Sequence, residues 1–145
     1  MAVTSHTTSG NSARQAEPEG RIRYGFEIPV LLVAAFTLSV VHTVYAWFAG
    51  LEDPDFNLAT PLAWVFYAVA FGMAALARKD AVAAQVSVVA FLVVVLGIAI
   101  FYYPTTFTEE QQTTFGWFEN DVYVGLLLIS LYLSVMRLRR QALVP

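Results

Sequence analysis

The chain has 145 residues, of which 58% are apolar, 14% aromatic and only 13% charged. A soluble domain carries a charged share of about a quarter, so the composition excludes an ordinary water-soluble fold and points to one helical membrane domain. Eight basic and eleven acidic residues give a formal net charge of −3, and the absence of cysteine excludes disulfides, thiolate metal sites and thiol catalysis.

Residues 1–22 are rich in Ser, Thr, Gly and Glu without apolar periodicity, and are predicted to be a disordered cytoplasmic tail in which His6 titrates in water. Residues 23–141 form the predicted transmembrane domain. Its first span covers about residues 26–49, with Pro29 in the opening turn, where a missing backbone donor costs no helical bond. At a rise of about 1.5 Å per residue this stretch crosses a hydrocarbon core roughly 30 Å thick. It is longer than the apolar part of a signal peptide, and Trp47 stands where a cleavage site needs a small side chain, so a retained span is expected.

The second span, about 61–77, opens with Thr60 as cap and Pro61 as first helical residue, and closes before Arg78-Lys79-Asp80. The third, about 81–103, is expected to stop at Pro104. The fourth, about 120–138, starts at Asn120 or Asp121 and runs into Arg137, Arg139 and Arg140.

Basic residues occur before the first span, between the second and third, and after the fourth, and the other two connections hold none. Positive charge in short flanking segments stays on the cytoplasmic side, so both termini and the middle turn are expected there, in the cell membrane. The predicted architecture is an all-α integral membrane protein, an antiparallel left-handed four-helix bundle with N-in/C-in topology. Trp47, Trp64 and Trp117 fall at the predicted outer ends, as amphipathic rings do at the headgroup level.

Small residues recur at alternating steps of three and four: Ala35, Ser39, His42, Ala46 and Ala49 in the first span, and Ala63, Tyr67, Ala70, Ala74 and Ala77 in the second. The third repeats the pattern with Ala83, Ser87, Ala90, Val94 and Gly97, and the fourth with Tyr123, Leu127, Ser130 and Ser134. Such seams let membrane helices approach closely, and their period near 3.5 implies left-handed crossings. These faces are expected to meet in the bundle interior.

Ser39, His42 and Tyr67 are then the candidate polar residues of that interior, with Tyr67, Ser39 and Thr43 as possible partners of the imidazole. An ionisable side chain inside a membrane is costly unless satisfied, which makes His42 the candidate functional residue. The plainer reading is a neutral histidine hydrogen-bonded within the bundle. A relay would need further ionisable groups, and only Glu27 and the neutral Gln85 are in view. Haem b with His42 as ligand is the cofactor alternative, and it lacks a second intramembrane histidine.

The turn Glu52-Asp53-Pro54-Asp55 is predicted to be a solvated acidic turn, since it lacks the glycine and later bidentate acid of a calcium loop. In the longer connection Thr106 and Glu109 have the spacing of a capping box, and Phe115, Trp117 and Phe118 are the candidate partner-docking residues, on a short helix lying along the membrane surface. No phosphate-binding glycine loop, metal-spaced histidine pair, nucleophile elbow or nucleic-acid-binding stripe is present in the sequence. No catalytic, metal or cofactor site is expected. The expected function is a non-catalytic accessory or structural subunit of a membrane complex, in contact with the lipid bilayer and with a membrane protein partner or further copies of itself. The alternatives are an oligomeric small-solute or ion permeation unit lined by these polar residues, and a haem- or quinone-binding redox subunit using His42.

Overall fold

A computed structural model describes residues 23–106 and 113–142, and all of its regular structure is helical. The predicted tail, with His6, and the Glu109 half of the predicted capping box lie outside the described residues. The main helices are α1 (Arg23–Ala49), α2 (Pro61–Leu76) and α3 (Val82–Gly97), followed by a wide π-turn segment (Ile98–Tyr102), the short α4 (Tyr103–Thr106) and the long α5 (Thr114–Ala142). Three apolar helical stretches are long enough to cross a membrane: Gly25–Ala49, Val82–Thr105 and Thr114–Ala142. The 16-residue α2 is apolar but shorter, and extends about 24 Å at the usual rise.

Local chemistry sets the helix ends. Gly50 has a φ of 66°, a left-handed conformation that glycine adopts without a Cβ penalty. It closes α1 in a Schellman motif, in which Leu51 N–H bonds Ala46 O at 2.9 Å and Gly50 N–H reaches Trp47 O at 3.4 Å. Thr60 precedes Pro61 in extended conformation; its hydroxyl makes no cap bond to the helix and instead donates to Asn57 O at 2.8 Å. At α5 the Thr113 hydroxyl accepts the Gly116 N–H at 3.0 Å, an N-cap bond.

Several boundaries differ from the sequence reading. The last helix starts at Thr114 rather than Asn120, because Thr113 caps it. Phe115, Trp117 and Phe118 therefore belong to the first turns of α5 and not to a separate surface helix. Pro29 lies well inside α1, which begins at Arg23, so the Gly25 carbonyl has no helical donor. Helical structure also continues past Pro104. Proline cannot donate to the Ile100 carbonyl, and the turn before it widens so that Tyr103 N–H bonds Ile98 O.

Four helices surround one core: α1 packs on α2 and α5, and α3 packs on the same two. The C-terminus of α1 and the N-termini of α2 and α5 share one end, here the loop end, which carries residues 51–60. The opposite end, the turn end, carries the 77–81 connection and the close of α5. Phe36, Ala70, Leu92 and Leu127, one from each helix and all 0% exposed, close the middle of the interior. Phe36 meets the rings of Phe66, Phe71, Phe91 and Tyr123 at centroid distances of 5.9 to 6.3 Å, separations at which edge-to-face contact is favourable. The outward faces are apolar as well, with Val41, Val65, Val69, Val86, Val93 and Ile129 all exposed. Helices that are apolar all round are the kind that lipid surrounds.

The second seam is buried at all five positions, and so are Tyr123, Leu127, Ser130 and Ser134 of the fourth. In α1 Ala35 and Ala46 are buried and Ala49 is exposed. The third seam is displaced: Ala83, Ser87, Ala90 and Val94 face outward, and α3 buries Ala84, Gln85, Val88, Leu92, Val95 and Leu96 instead. Larger side chains fill the core on this helix, so small residues do not mark its inner face.

Candidate functional site

Apart from Ser130 and Ser134, fully buried along α5, the polar side chains inside the bundle gather at its two ends. At the loop end α1 contributes Ser39, His42 and Thr43, α2 contributes Tyr67, and α5 contributes Glu119 and Tyr123. Glu119 and Tyr123 are one turn apart on the stripe that also buries Gly116, Leu127 and Ser130. His42 Nδ1 lies 3.1 Å from Glu119 Oε2, and the two side chains are 17% and 7% exposed. The oxygen is off the direction of the ring N–H, so the contact has ion-pair distance without hydrogen-bond alignment and leaves Nδ1 with no hydrogen bond.

Beside this pair is a hydroxyl cluster. Tyr67 OH stands 2.7 Å from Thr43 Oγ1 and 3.2 Å from Ser39 Oγ, and donates to the Ser39 carbonyl at 3.1 Å. Thr43 also bonds back to the Ser39 carbonyl at 3.1 Å. Ser39, His42 and Tyr67 thus occupy one polar layer, but the partner of His42 is Glu119, while Tyr67 is engaged by Ser39 and Thr43. The phenols of Tyr67, Tyr103 and Tyr123 all lie within electrostatic reach of Glu119.

Sequence reasoning missed Glu119 because it placed that residue in an outer loop. The signal was present nonetheless. Stepping back four residues from Tyr123 along the predicted seam reaches Glu119, and stepping forward three from Ser134 reaches Arg137.

Arg137 organises the turn end. Its NH1 donates to Ala77 O at 2.7 Å and its NH2 to Asp80 Oδ1 at 2.6 Å. Gln85 adds donations to Lys79 O at 2.6 Å and Ala77 O at 3.3 Å, and Gln141 donates to Asp80 O at 3.1 Å. The carbonyl of Ala77, the C-cap of α2, and those of Lys79 and Asp80 in the following turn are thereby met by a cation and amides from α5 and α3, beside the negative end of the α2 dipole. Glu27, the other ionisable group in view from the sequence, lines a shallow apolar groove with Phe26, Val30, Leu31 and Leu133.

The acidic turn is built from its own bonds. Asp53 Oδ1 accepts the N–H groups of Asp55 and Phe56, and Asn57 Nδ2 donates to Asp53 O at 2.8 Å. Phe115, Trp117 and Phe118 are 43%, 46% and 67% exposed, with Phe115 edge-on to Tyr45 at 4.9 Å. Among the described residues no group of three or more His, Cys, Asp or Glu side chains is placed to hold a metal ion. No known protein family, curated protein or solved structure matches the chain.

Proposed function

We propose that the chain is a four-span integral membrane protein of the cell membrane, with both termini cytoplasmic, serving as a non-catalytic accessory subunit of a membrane complex. The orientation rests on charge. Arg78, Lys79, Arg137, Arg139 and Arg140 belong to the turn end, while Glu52, Asp53, Asp55, Glu119 and Asp121 belong to the loop end. Retention of positive charge puts the turn end inside and the loop end outside.

One observation carries the accessory reading. The polar layers at the two ends are separated by Phe36, Ala70, Leu92 and Leu127, fully buried at mid-height, so the centre of a single chain is packed rather than open. Close packing of this kind supports a role exercised through outer surfaces. The surface favoured for a partner is the start of α5, where Phe115, Trp117 and Phe118 project beside Tyr45, because exposed aromatic side chains are common anchors at protein interfaces.

The test is purification in mild detergent at native expression level, with the mass of the intact assembly and its visible absorption spectrum. A reproducible protein partner, lost on Trp117→Ala with Phe118→Ala, is the expected result. A lone oligomer whose solute flux in vesicles changes with His42→Ala would favour the permeation alternative, with the pathway between protomers. A Soret band would favour the redox alternative and make His42 the first ligand to test.

A further inference from the structure

The loop-end layer holds two ionisable side chains that face each other with no basic neighbour among the described residues. Glu119 approaches His42 at 3.1 Å from α5, and the described arginines and Lys79 all lie towards the turn end. The groups within electrostatic reach of Glu119 from the surrounding elements are the phenols of Tyr67 on α2, Tyr103 on α4 and Tyr123 on α5, and Asp53 in the loop lies within reach of Tyr103. Below it, Phe36 and the rings packed around it close the interior.

The charge states of such a pair are unequal in cost. With one proton shared between them the two groups are neutral overall, either as imidazolium and carboxylate or as imidazole and carboxylic acid. A second proton leaves an uncompensated cation, and removal of the only proton leaves an uncompensated anion. Either is expensive where both side chains are largely withdrawn from water. Two groups this close titrate as a unit and not as separate residues.

We propose that His42 and Glu119 together hold a single proton across the neutral range and exchange it only with the loop end. The 17% exposure of the histidine side chain provides the access, and the aromatic floor beneath prevents passage to the turn end within one chain. The unaligned Nδ1 contact leaves neither histidine tautomer locked by a directed hydrogen bond to Glu119, so either group can carry the proton. This site is independent of the accessory role and rests only on the chain's being a membrane bundle.

The chain has two histidines, His6 and His42, so nitrogen-15 histidine labelling in a His6→Gln background gives one imidazole to follow. Carbon-13 labelling of glutamate side chains, with Glu119 identified by its loss in Glu119→Gln, gives the carboxyl. The full chain is reconstituted in phosphatidylcholine bilayers and both occupancies are measured between about pH 5 and 8, the interval across which isolated histidine titrates. The expected result is that the two proton occupancies sum to one throughout, and that Glu119→Gln changes the histidine occupancy at fixed pH while Asp121→Asn does not.

A sum that changes by half a proton or more across this interval overturns the proposal, as does a histidine titration with the same midpoint in the parent and in Glu119→Gln. The sum is measured on the parent; where Glu119→Gln does not fold, Glu119 is identified by the dipolar coupling of its carboxyl carbon to the His42 ring nitrogen, so the sum still decides the matter. A chain that will not enter bilayers overturns the membrane reading along with the proposal, whereas a chain that enters with a moving sum overturns the proposal alone.

Discussion

His42 of α1 and Glu119 of α5 meet at 3.1 Å near the loop end of the bundle, with their side chains 17% and 7% exposed. The first and last helices of the described chain are thus joined by an ionisable contact set beside the Ser39, Thr43 and Tyr67 hydroxyls and above the Phe36 core. Leaving one member of a buried pair without the other costs more than removing both, because the survivor keeps its desolvation penalty.

A double-mutant cycle measures this coupling. His42→Leu and Glu119→Leu are each expected to destabilise the bundle by about 2–3 kcal/mol, at the low end for buried pairs because His42 retains some water contact. The double variant should be less destabilised than the sum of the singles by about 1–2 kcal/mol. Unfolding in mixed micelles under increasing denaturing detergent provides the measurement, and strict additivity would mean that the two side chains do not depend on each other.

At the opposite end the two acceptors of Arg137 should contribute unequally. Its bond to Ala77 O is buried, while the Asp80 carboxylate is 91% exposed and screened by water. Arg137→Met is therefore expected to cost about 2–3 kcal/mol by leaving the Ala77 carbonyl, the C-cap of α2, with only its longer bond from Gln85, against less than about 0.5 kcal/mol for Asp80→Asn. The same unfolding assay separates them, and equal losses would show that the ion pair, and not the helix-end bond, dominates.

Two buried hydroxyls provide a paired contrast. Tyr67 OH is engaged by Ser39 and Thr43, so Tyr67→Phe should destabilise by about 1 kcal/mol. Ser134 Oγ is buried with no hydrogen-bond partner, and Ser134→Ala should be neutral or raise the thermal midpoint, since removing an unsatisfied polar group relieves its desolvation. A clear loss of stability in Ser134→Ala would imply a bond to water or to another molecule at that position.

Much of this arrangement is written in the sequence, and the failures have physical causes. The seam of Ala63, Tyr67, Ala70, Ala74 and Ala77 predicts the buried face of α2 at every position, although Ala68, Gly72 and Ala75 on the same helix are exposed. On α3 valine occurs on both faces, with Val88 and Val95 buried and Val86, Val93 and Val94 exposed. Lipid is as apolar as the core, so hydrophobicity cannot tell inside from outside there, and the small-residue stripe turned outward. His42 was legible as an ionisable residue in an apolar helix. Glu119 was hidden by the start of its helix: an acid six residues ahead of a mostly apolar stretch reads as loop until the Thr113 cap extends α5 around it. Arg137 was similarly taken for a topological signal, although it continues the Tyr123 to Ser134 stripe and is only 8% exposed.

The orientation of the bundle fixes which compartment the His42–Glu119 pair faces, and labelling tests it most directly. The sequence contains no cysteine, so Asp55→Cys in the loop and Lys79→Cys in the turn each introduce a single thiol at an exposed position. In intact cells a membrane-impermeant maleimide is expected to modify the residue 55 thiol, and to reach the residue 79 thiol only after permeabilisation. Modification of residue 79 in intact cells with protection of residue 55 would invert the bundle. Equal access to both before permeabilisation would contradict a membrane-spanning arrangement altogether.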